Sequence, residues 1–562
     1  SLGGGRFNER KKHDPMVMVA SFFSAPIDLE FDEREKILDA VFNTRHQTER
    51  KLWSGDNLKT ENILTNVQLF PEYRMAYTEK IIDIALDDFH YQQQRWWRSF
   101  QQEALYSFYL PEGSVVTSAS LWVEGIERES YLTTRNKADS AYTTIVGRER
   151  RDPLLLHWQE GNRVTVRVFP VTKGNSRKFK IGVTTPLKSE NEELVYENID
   201  FAGPYWNSAQ EQINVVVTGK VDHLESHLNF KQTGDYWTYD GNYKSDWRLR
   251  FAAPPLSKNT FSFNEKTYQL LPDARTTENF TPTEIYLDVN AAWTWNEFES
   301  ITKNMGTTPV YVYHHKLLQL TVQNQERLFE DLQQFNYSLF PFYEIKNPAT
   351  ALVITKNDFP TPVLNDLKNT KFAESLNEFM SKNETPVRVF DLGTEVSLYL
   401  KTLKELRAIS MVTGETSDFN PLLRDNNFQI LNENAQTIAI DASQMRIHET
   451  TAIQTKDSAP DHLLRLFTYN DLMKKIGRDY FKKEKLEDKL VAQAEEGYVV
   501  SPVSSLLVLE TQEDYDRFDI KRSKNSLKNA SMKNSGSVPE PHEWMLIILC
   551  LLVGSFFWWK RV

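Results

Sequence analysis

A chain of 562 residues, 40% hydrophobic and 25% charged, is long enough for several buried cores and too ordinary in composition to be disordered throughout. Its formal charge is −11, and its densest basic run (Lys521, Arg522, Lys524, Lys528, Lys533) lies in a Ser/Asn-rich stretch rather than on a domain, which argues against nucleic-acid binding. The one cysteine, Cys550, excludes a thiol nucleophile and a cysteine metal cluster from everything before it and leaves the compartment open.

Residues 1–20 carry Gly3-Gly4-Gly5 and a basic run from Arg6 to Lys12 with no apolar signal core, so this segment reads as a leader remnant or linker with the targeting signal upstream. Residues 21–103 are rich in Glu, Lys and Arg and nearly free of glycine. With Ile81, Ile84 and Ala85 near helical spacing, they predict a helical region.

From Ala104 the period falls to two. Strands are predicted at Ala104–Leu110, closed by Pro111-Glu112-Gly113, then at Ala119–Glu124 and Val164–Val171. One helix interrupts them, with Ala138, Ala141, Tyr142 and Ile145 on one face. The strand end Phe108-Tyr109-Leu110-Pro111, the run Val123-Glu124-Gly125, this helix and the closing strand together resemble a VIT domain over residues 104–187. The resemblance implies a β-rich interaction module without catalytic residues. Residues 188–282 form an aromatic-rich β region, including Tyr236-Trp237-Thr238-Tyr239 and Trp247. Such rings fill an interface between sheets or, alternatively, stack on sugars.

Residues 283–425 alternate strands (Glu284–Asn290, Val310–Tyr313, Ala351–Thr355, Val387–Leu392) with helices (Asn296–Asn304, Asn324–Phe335, Lys371–Lys382, Val396–Ala408), the pattern of a doubly wound sheet. Asp288-Val289-Asn290-Ala291-Ala292 ends the first strand, where such a sheet opens its crevice. The arrangement, with the turn Val412-Thr413-Gly414-Glu415, resembles a von Willebrand A domain, whose DxSxS loop holds Mg²⁺. Here Asn290 and Ala292 replace the two hydroxyl residues. Asp288, Asn290 and Asp358 are the candidate metal ligands. Ala292 offers no donor atom, which argues against Mg²⁺, and no other cofactor is expected. His314-His315 falls on a predicted strand, where neighbouring side chains face opposite ways and cannot chelate one ion.

Residues 426–520 read as a C-terminal extension. Its string Tyr498–Phe518 is similar to the segment closing many exported VIT–von Willebrand A proteins and predicts a buried strand, Ser504–Leu509, leading into an acidic helix. Residues 521–537 form the basic Ser/Asn linker, and Asn336-Tyr337-Ser338 and Asn529-Ala530-Ser531 fit the glycosylation triplet.

Residues 538–562 hold Val538-Pro539-Glu540-Pro541, an apolar stretch from Trp544 to Trp559, and Lys560-Arg561. A helix of that stretch reaches about 24 Å, short of the roughly 30 Å hydrocarbon core, so it is expected to span as a weak anchor with local thinning, and the terminal cations orient it with the body outside the cytoplasm. The tail resembles PEP-CTERM signals (the MSEP variant included), which implies an exosortase-like processing enzyme as partner. A plain tail anchor is the alternative.

The expectation is a multidomain α+β and α/β chain with a C-terminal transmembrane helix. It would act as a non-enzymatic, exported, membrane-anchored or surface-sorted protein that binds an unknown protein or glycan. The alternatives are a cation-dependent adhesin with a remodelled metal site and a cell-envelope enzyme with an unrecognised site. No GxSxG, HExxH, P-loop or GxGxxG motif is present.

Overall fold

The computed structural model describes residues 52–53, 55, 57–87, 101–221, 223–272, 280–335, 339–356, 361–393, 396–424, 428, 433–451 and 458–532. The N-terminal part of this range is strand, not helix. Leu58–Phe70 and Met75–Leu86 form a long antiparallel ribbon, which corrects the helical reading of residues 21–103 over 58–86, while 21–51 and 88–100 lie outside the described residues. The physical reason is a period-two burial pattern that charge obscured: Ile63, Val67 and Leu69 are buried, while Glu61, Asn66 and Gln68 alternate outward. Lys80 is fully buried, its ammonium 3.1 Å from the equally buried Glu211 on Gln210–Val217. Such burial is tolerated only for a paired charge.

That ribbon is the middle of an eight-stranded sheet ordered Lys231–Thr233, Tyr236–Asn242, Gln210–Val217, Leu58–Phe70, Met75–Leu86, Arg177–Pro186, Val115–Val123, Ile126–Glu129. Only Leu58–Phe70 with Gln210–Val217 is a parallel pair. One face packs on a six-stranded antiparallel sheet through Phe179 against Tyr106 and Phe108, with ring centroids at 5.0 and 6.4 Å. The other face packs on a three-stranded sheet through Val67, Leu69, Ile213 and Val215 against Tyr196, Leu249 and Phe251. Trp237 and Trp247 are buried in this second interface, the packing role that aromatic residues in an alternating strand pattern fill most readily. Tyr236 is exposed.

The helix Arg135–Thr144 covers the outer face of the six-stranded sheet with Ala138, Ala141 and Tyr142. The Tyr498–Phe518 string completes that sheet: Ser504–Val508 lies between Leu154–Gln159 and Tyr131–Thr134, and the helix Gln512–Arg517 follows.

In residues 284–413 five strands run parallel in the order Val310–Tyr313, Glu284–Asp288, Ala351–Thr355, Val387–Asp391, Ile409–Thr413, with Leu317–Gln319 antiparallel at one edge. Both faces are buried, as a parallel sheet requires. Ile285, Leu287, Leu352 and Ile354 meet helices Trp295–Lys303 and Gln325–Leu332 on one side. Tyr286, Val353 and Val389 meet Lys371–Lys382 and Leu398–Glu405 on the other.

This second face is continuous with the sandwich core, and between them runs the helix His462–Gly477. Fourteen of its sixteen residues are buried, the signature of a helix enclosed on all sides. A four-stranded sheet pairs Lys266–Pro272 with Met445–Thr450, so residues on either side of the parallel sheet in sequence are hydrogen-bonded to each other.

Residues 521–532 follow the body as a strap rather than a free linker. Tyr77 donates to Ala530 O at 2.7 Å, Ala530 N donates to Thr117 O at 3.2 Å, and Arg465 donates to Lys528 O at 2.8 Å. The Asn529 amide is engaged with Ser130 and Tyr498, which turns this glycosylation triplet into a structural contact.

Candidate functional site

The sandwich, the parallel sheet and the enclosed helix converge on one tight turn, Gln159–Arg163, between the strands Leu154–Gln159 and Arg163–Val171. Gly161 and Asn162 both take positive φ, +75° and +51°, the geometry for which glycine and asparagine carry the least steric cost. Each residue of the turn makes a different anchor. The Glu160 carboxylate accepts from Leu364 N, from Asn365 N at 2.7 Å and from Tyr480 Oη at 2.7 Å. Gly161 N donates to Thr402 Oγ1 at 3.0 Å. Asn162 Nδ2 donates to Pro111 O at 2.7 Å, holding the neighbouring turn.

Beside this turn lies a cavity of about 290 Å³, with Leu110, Asn162, Leu398, Lys404, Glu405 and Tyr469 in its lining. Glu405 closes the C-terminal end of the helix Leu398–Glu405. Its Oε2 accepts from Asn162 N at 3.2 Å, and its Oε1 lies 3.4 Å from Tyr469 Oη. That hydroxyl receives a hydrogen bond from Trp158 Nε1 at 3.1 Å. Burial pushes the Glu405 carboxyl up to about 8, against the Asn162 N–H, and the negative charge of Glu112 adds to the rise.

Two of the cations nearby are committed. Lys404 Nζ lies 2.8 Å from Glu112 and 3.5 Å from Asp441. Burial alone would lower its pKa, but these two carboxylates hold it above the ordinary lysine value. Arg407 pairs with Glu433 at 3.2 Å and donates to Ala439 O and Asn470 Oδ1. The cavity lining therefore includes a carboxyl raised to about 8 and held by a backbone N–H and a phenol hydroxyl, and such a group can give or take a proton.

A second constellation has the order of a catalytic relay. Ser505 Oγ lies 2.5 Å from His157 Nδ1, and His157 Nε2 lies 2.8 Å from Asp139 Oδ1. Ser505 is fully buried in mid-strand, paired with Thr133 on one side and His157 on the other. No substrate carbonyl can approach it, and burial holds the His157 pKa below its ordinary value. The relay is a cross-strand polar tie.

The candidate metal loop is closed on itself. Asp288 Oδ2 accepts from Thr355 Oγ1 at 2.9 Å. Asn290 Oδ1 accepts from Ala292 N at 2.9 Å, and its Nδ2 donates to Lys356 O at 2.8 Å. The Asn290 carbonyl thus accepts within its own turn, and Ala292 has no side-chain donor atom. Asp358 lies outside the described residues, as do Asn336-Tyr337-Ser338, Val538, Pro539, Glu540, Pro541, Lys560 and Arg561. His314 and His315 sit past the end of the strand, with His315 at φ +59° and the ring centroids 4.8 Å apart, which corrects the opposite-faces reading. Among the described residues no group of three or more His, Cys, Asp or Glu side chains converges as a metal site.

Glu405, Asn162 and Tyr469 were invisible to sequence reasoning. Their separations of 243 and 64 positions leave no motif.

The fold and cavity define a layered α+β protein, and residues 88–183 are a VIT-like segment: they match the family model described as "Vault protein inter-alpha-trypsin domain". No curated protein matches the chain. Among solved structures, the chain is similar to Legionella pneumophila aminopeptidase A at 6% identity and TM-score 0.21, with 39% of this chain and 23% of that one covered. It is similar to leukotriene A4 hydrolase from Saccharomyces cerevisiae at 5% and 0.22, with 48% and 37% covered. It is also similar to an M1 zinc metallopeptidase from Deinococcus radiodurans at 8% and 0.22, with 86% and 98% covered. The chain spans well under two thirds of the first two.

These matches are to peptidases and a hydrolase, where a non-enzymatic surface protein was expected. At such TM-scores they assign no activity. Among the described residues no helix is long and apolar enough to cross a membrane. This corrects the expected membrane-anchored fold, placement and partners, the exosortase-like enzyme included. The tail on which that reading rested lies outside the described residues.

Proposed function

We propose that the cavity beside the Gln159–Arg163 turn is the functional site, a small-molecule pocket whose Glu405 exchanges a proton with the bound molecule. The observation that carries this reading is a carboxyl lifted to about 8 inside a cavity where three parts of the fold meet. Proton transfer is the reaction class that such a group serves. Tyr469 and Asn162 orient the carboxyl, and the paired ions Lys404–Glu112 and Arg407–Glu433 frame it. The zinc chemistry named for the similar metallopeptidases forms no part of the reading.

The VIT-like segment supplies the turn and so builds one wall of the site. Residues 283–425 are read as a von Willebrand A-like unit, supported by the parallel sheet with Asp288 at the carboxyl end of its inner strand. In this reading that unit contributes the helix bearing Glu405 rather than a metal loop.

Ligand-observed NMR with a library of small polar molecules tests the proposal, comparing the natural chain with Met473→Trp, which fills the cavity. Molecules that bind the natural chain and lose binding in the variant are expected. Hits unaffected by the variant, or no hits, overturn it.

A further inference from the structure

The cavity is uneven in a way that selects among ligands. One end is polar, with Glu405, Tyr469 and Asn162. Leu398, Met411, Ile440 and Met473 supply apolar lining to the same cavity. Formal charges in the lining are of both signs, but their partners differ. Lys404 and Arg407 are spent on Glu112, Asp441 and Glu433. Glu405 receives only a backbone N–H and a phenol hydroxyl, and no cation among the described residues lies at ion-pair distance from it. A half-buried carboxylate with no cation at ion-pair distance carries a desolvation cost that the more distant Arg407 offsets only in part, and a ligand that brings a closer positive charge relieves it.

We infer that the cavity takes a primary alkylamine, with its ammonium on the Glu405 carboxylate and its hydrocarbon stem along Leu398, Met411, Ile440 and Met473. This rests on the reading of the cavity as a ligand site and deepens it by naming the ligand class. An ammonium supplies three donors in a compact head, and the apolar lining supplies the transfer free energy for the stem. A carboxylate ligand meets the reverse situation beside Glu405, since Lys404 and Arg407, the cations next to it in the chain, are already paired. An alcohol can hydrogen-bond to Glu405 but brings no charge.

Binding then carries a proton signature. Glu405 is neutral below its raised pKa and must ionise to hold the ammonium, so the proton leaves as the amine enters. The charged groups around it are Glu112 on the adjoining turn, Glu197 at the end of the strand Glu193–Glu197, Asp441 on the hairpin Thr437–Thr450, Arg163 on the sandwich, and Lys401, Lys404 and Arg407 on or beside its own helix. Tyr469 faces it from the enclosed helix.

Isothermal titration of the full chain with n-hexylammonium, n-hexanol and n-hexanoate tests the inference, run at pH 6, 7 and 8 in two buffers of different ionisation enthalpy. The amine is expected to bind at least tenfold more tightly than either analogue and to release close to one proton at pH 7. Its affinity should rise roughly tenfold from pH 6 to 7 and about fivefold from pH 7 to 8 as the carboxyl approaches its own titration. Glu405→Gln is expected to abolish the preference for amine, and the proton count on the natural chain stands whether or not that variant folds. Equal affinity for the alcohol, or amine binding without proton release, overturns the ligand class while leaving the cavity reading intact. Failure of all three probes overturns the ligand class as well, whereas only the library experiment with Met473→Trp bears on the cavity itself.

Discussion

At Glu405 the fold holds a carboxyl where water would ordinarily keep it ionised, and that has a cost which pH exposes. Below about pH 4.5 the group is neutral in both the folded and the unfolded chain, so it adds no difference. As pH rises toward 8 the unfolded chain ionises it while the folded chain keeps its proton, and stability falls by at most about 1.4 kcal/mol per unit before levelling off. Glu405→Gln removes the titration. Urea midpoints measured from pH 4.5 to 8.5 are therefore expected to decline less steeply in the variant than in the natural chain. Parallel curves for the two would mean that the carboxyl is ionised in the folded state at neutral pH.

Among the elements, the contact between the helix Leu398–Glu405 and the enclosed helix His462–Gly477 decides whether the cavity exists. Gly477 lies where a Cβ would stand 2.2 Å from the Leu406 carbonyl oxygen, a backbone atom that cannot swing aside. Gly477→Ala is expected to push the two helices apart and cost about 1–3 kcal/mol, read as a lower thermal midpoint. An unchanged midpoint would show that the contact is loose.

The same elements show what a sequence can and cannot disclose. The parallel strands were legible because apolar runs such as Ala351–Thr355 and Val387–Asp391 are buried on both faces and separated by amphipathic helices with Thr and Ser caps. The ribbon Leu58–Leu86 was misread because its outward residues are Lys, Glu and Asp, a composition that helices share, and because Lys80 turns inward only to meet Glu211 far along the chain. The enclosed helix His462–Gly477 escaped notice for the opposite reason: buried on all sides, it has no polar face to set a period. The site inherits this blindness, since a charge becomes unusual only once distant segments have packed around it.

For the whole molecule, the strap 521–532 is the last described segment to bind, and it touches the eight-stranded sheet at Thr117, Ala119 and Tyr77. Asn529 is its central fastening, accepting from Ala119 N and Ser130 Oγ and donating to Ser130 O and Tyr498 Oη. Asn529→Ala is expected to cost about 1–3 kcal/mol and to open the strap to limited proteolysis at Lys524 or Lys528 while the body stays intact. Cleavage at the same rate in both proteins would show that the strap detaches independently of this residue.

The strand Ser504–Val508, set between Leu154–Gln159 and Tyr131–Thr134, also imposes an order of events. During synthesis the sheet that carries the VIT-like segment has a gap until the ribosome has moved several hundred codons beyond it. Until then its two inner edges expose unpaired backbone groups, the kind of surface that recruits chaperones or stray strands. A nascent chain stopped before Ser504 should therefore be recognised as unfinished, so that the C-terminal part of this protein serves as the checkpoint for its first half.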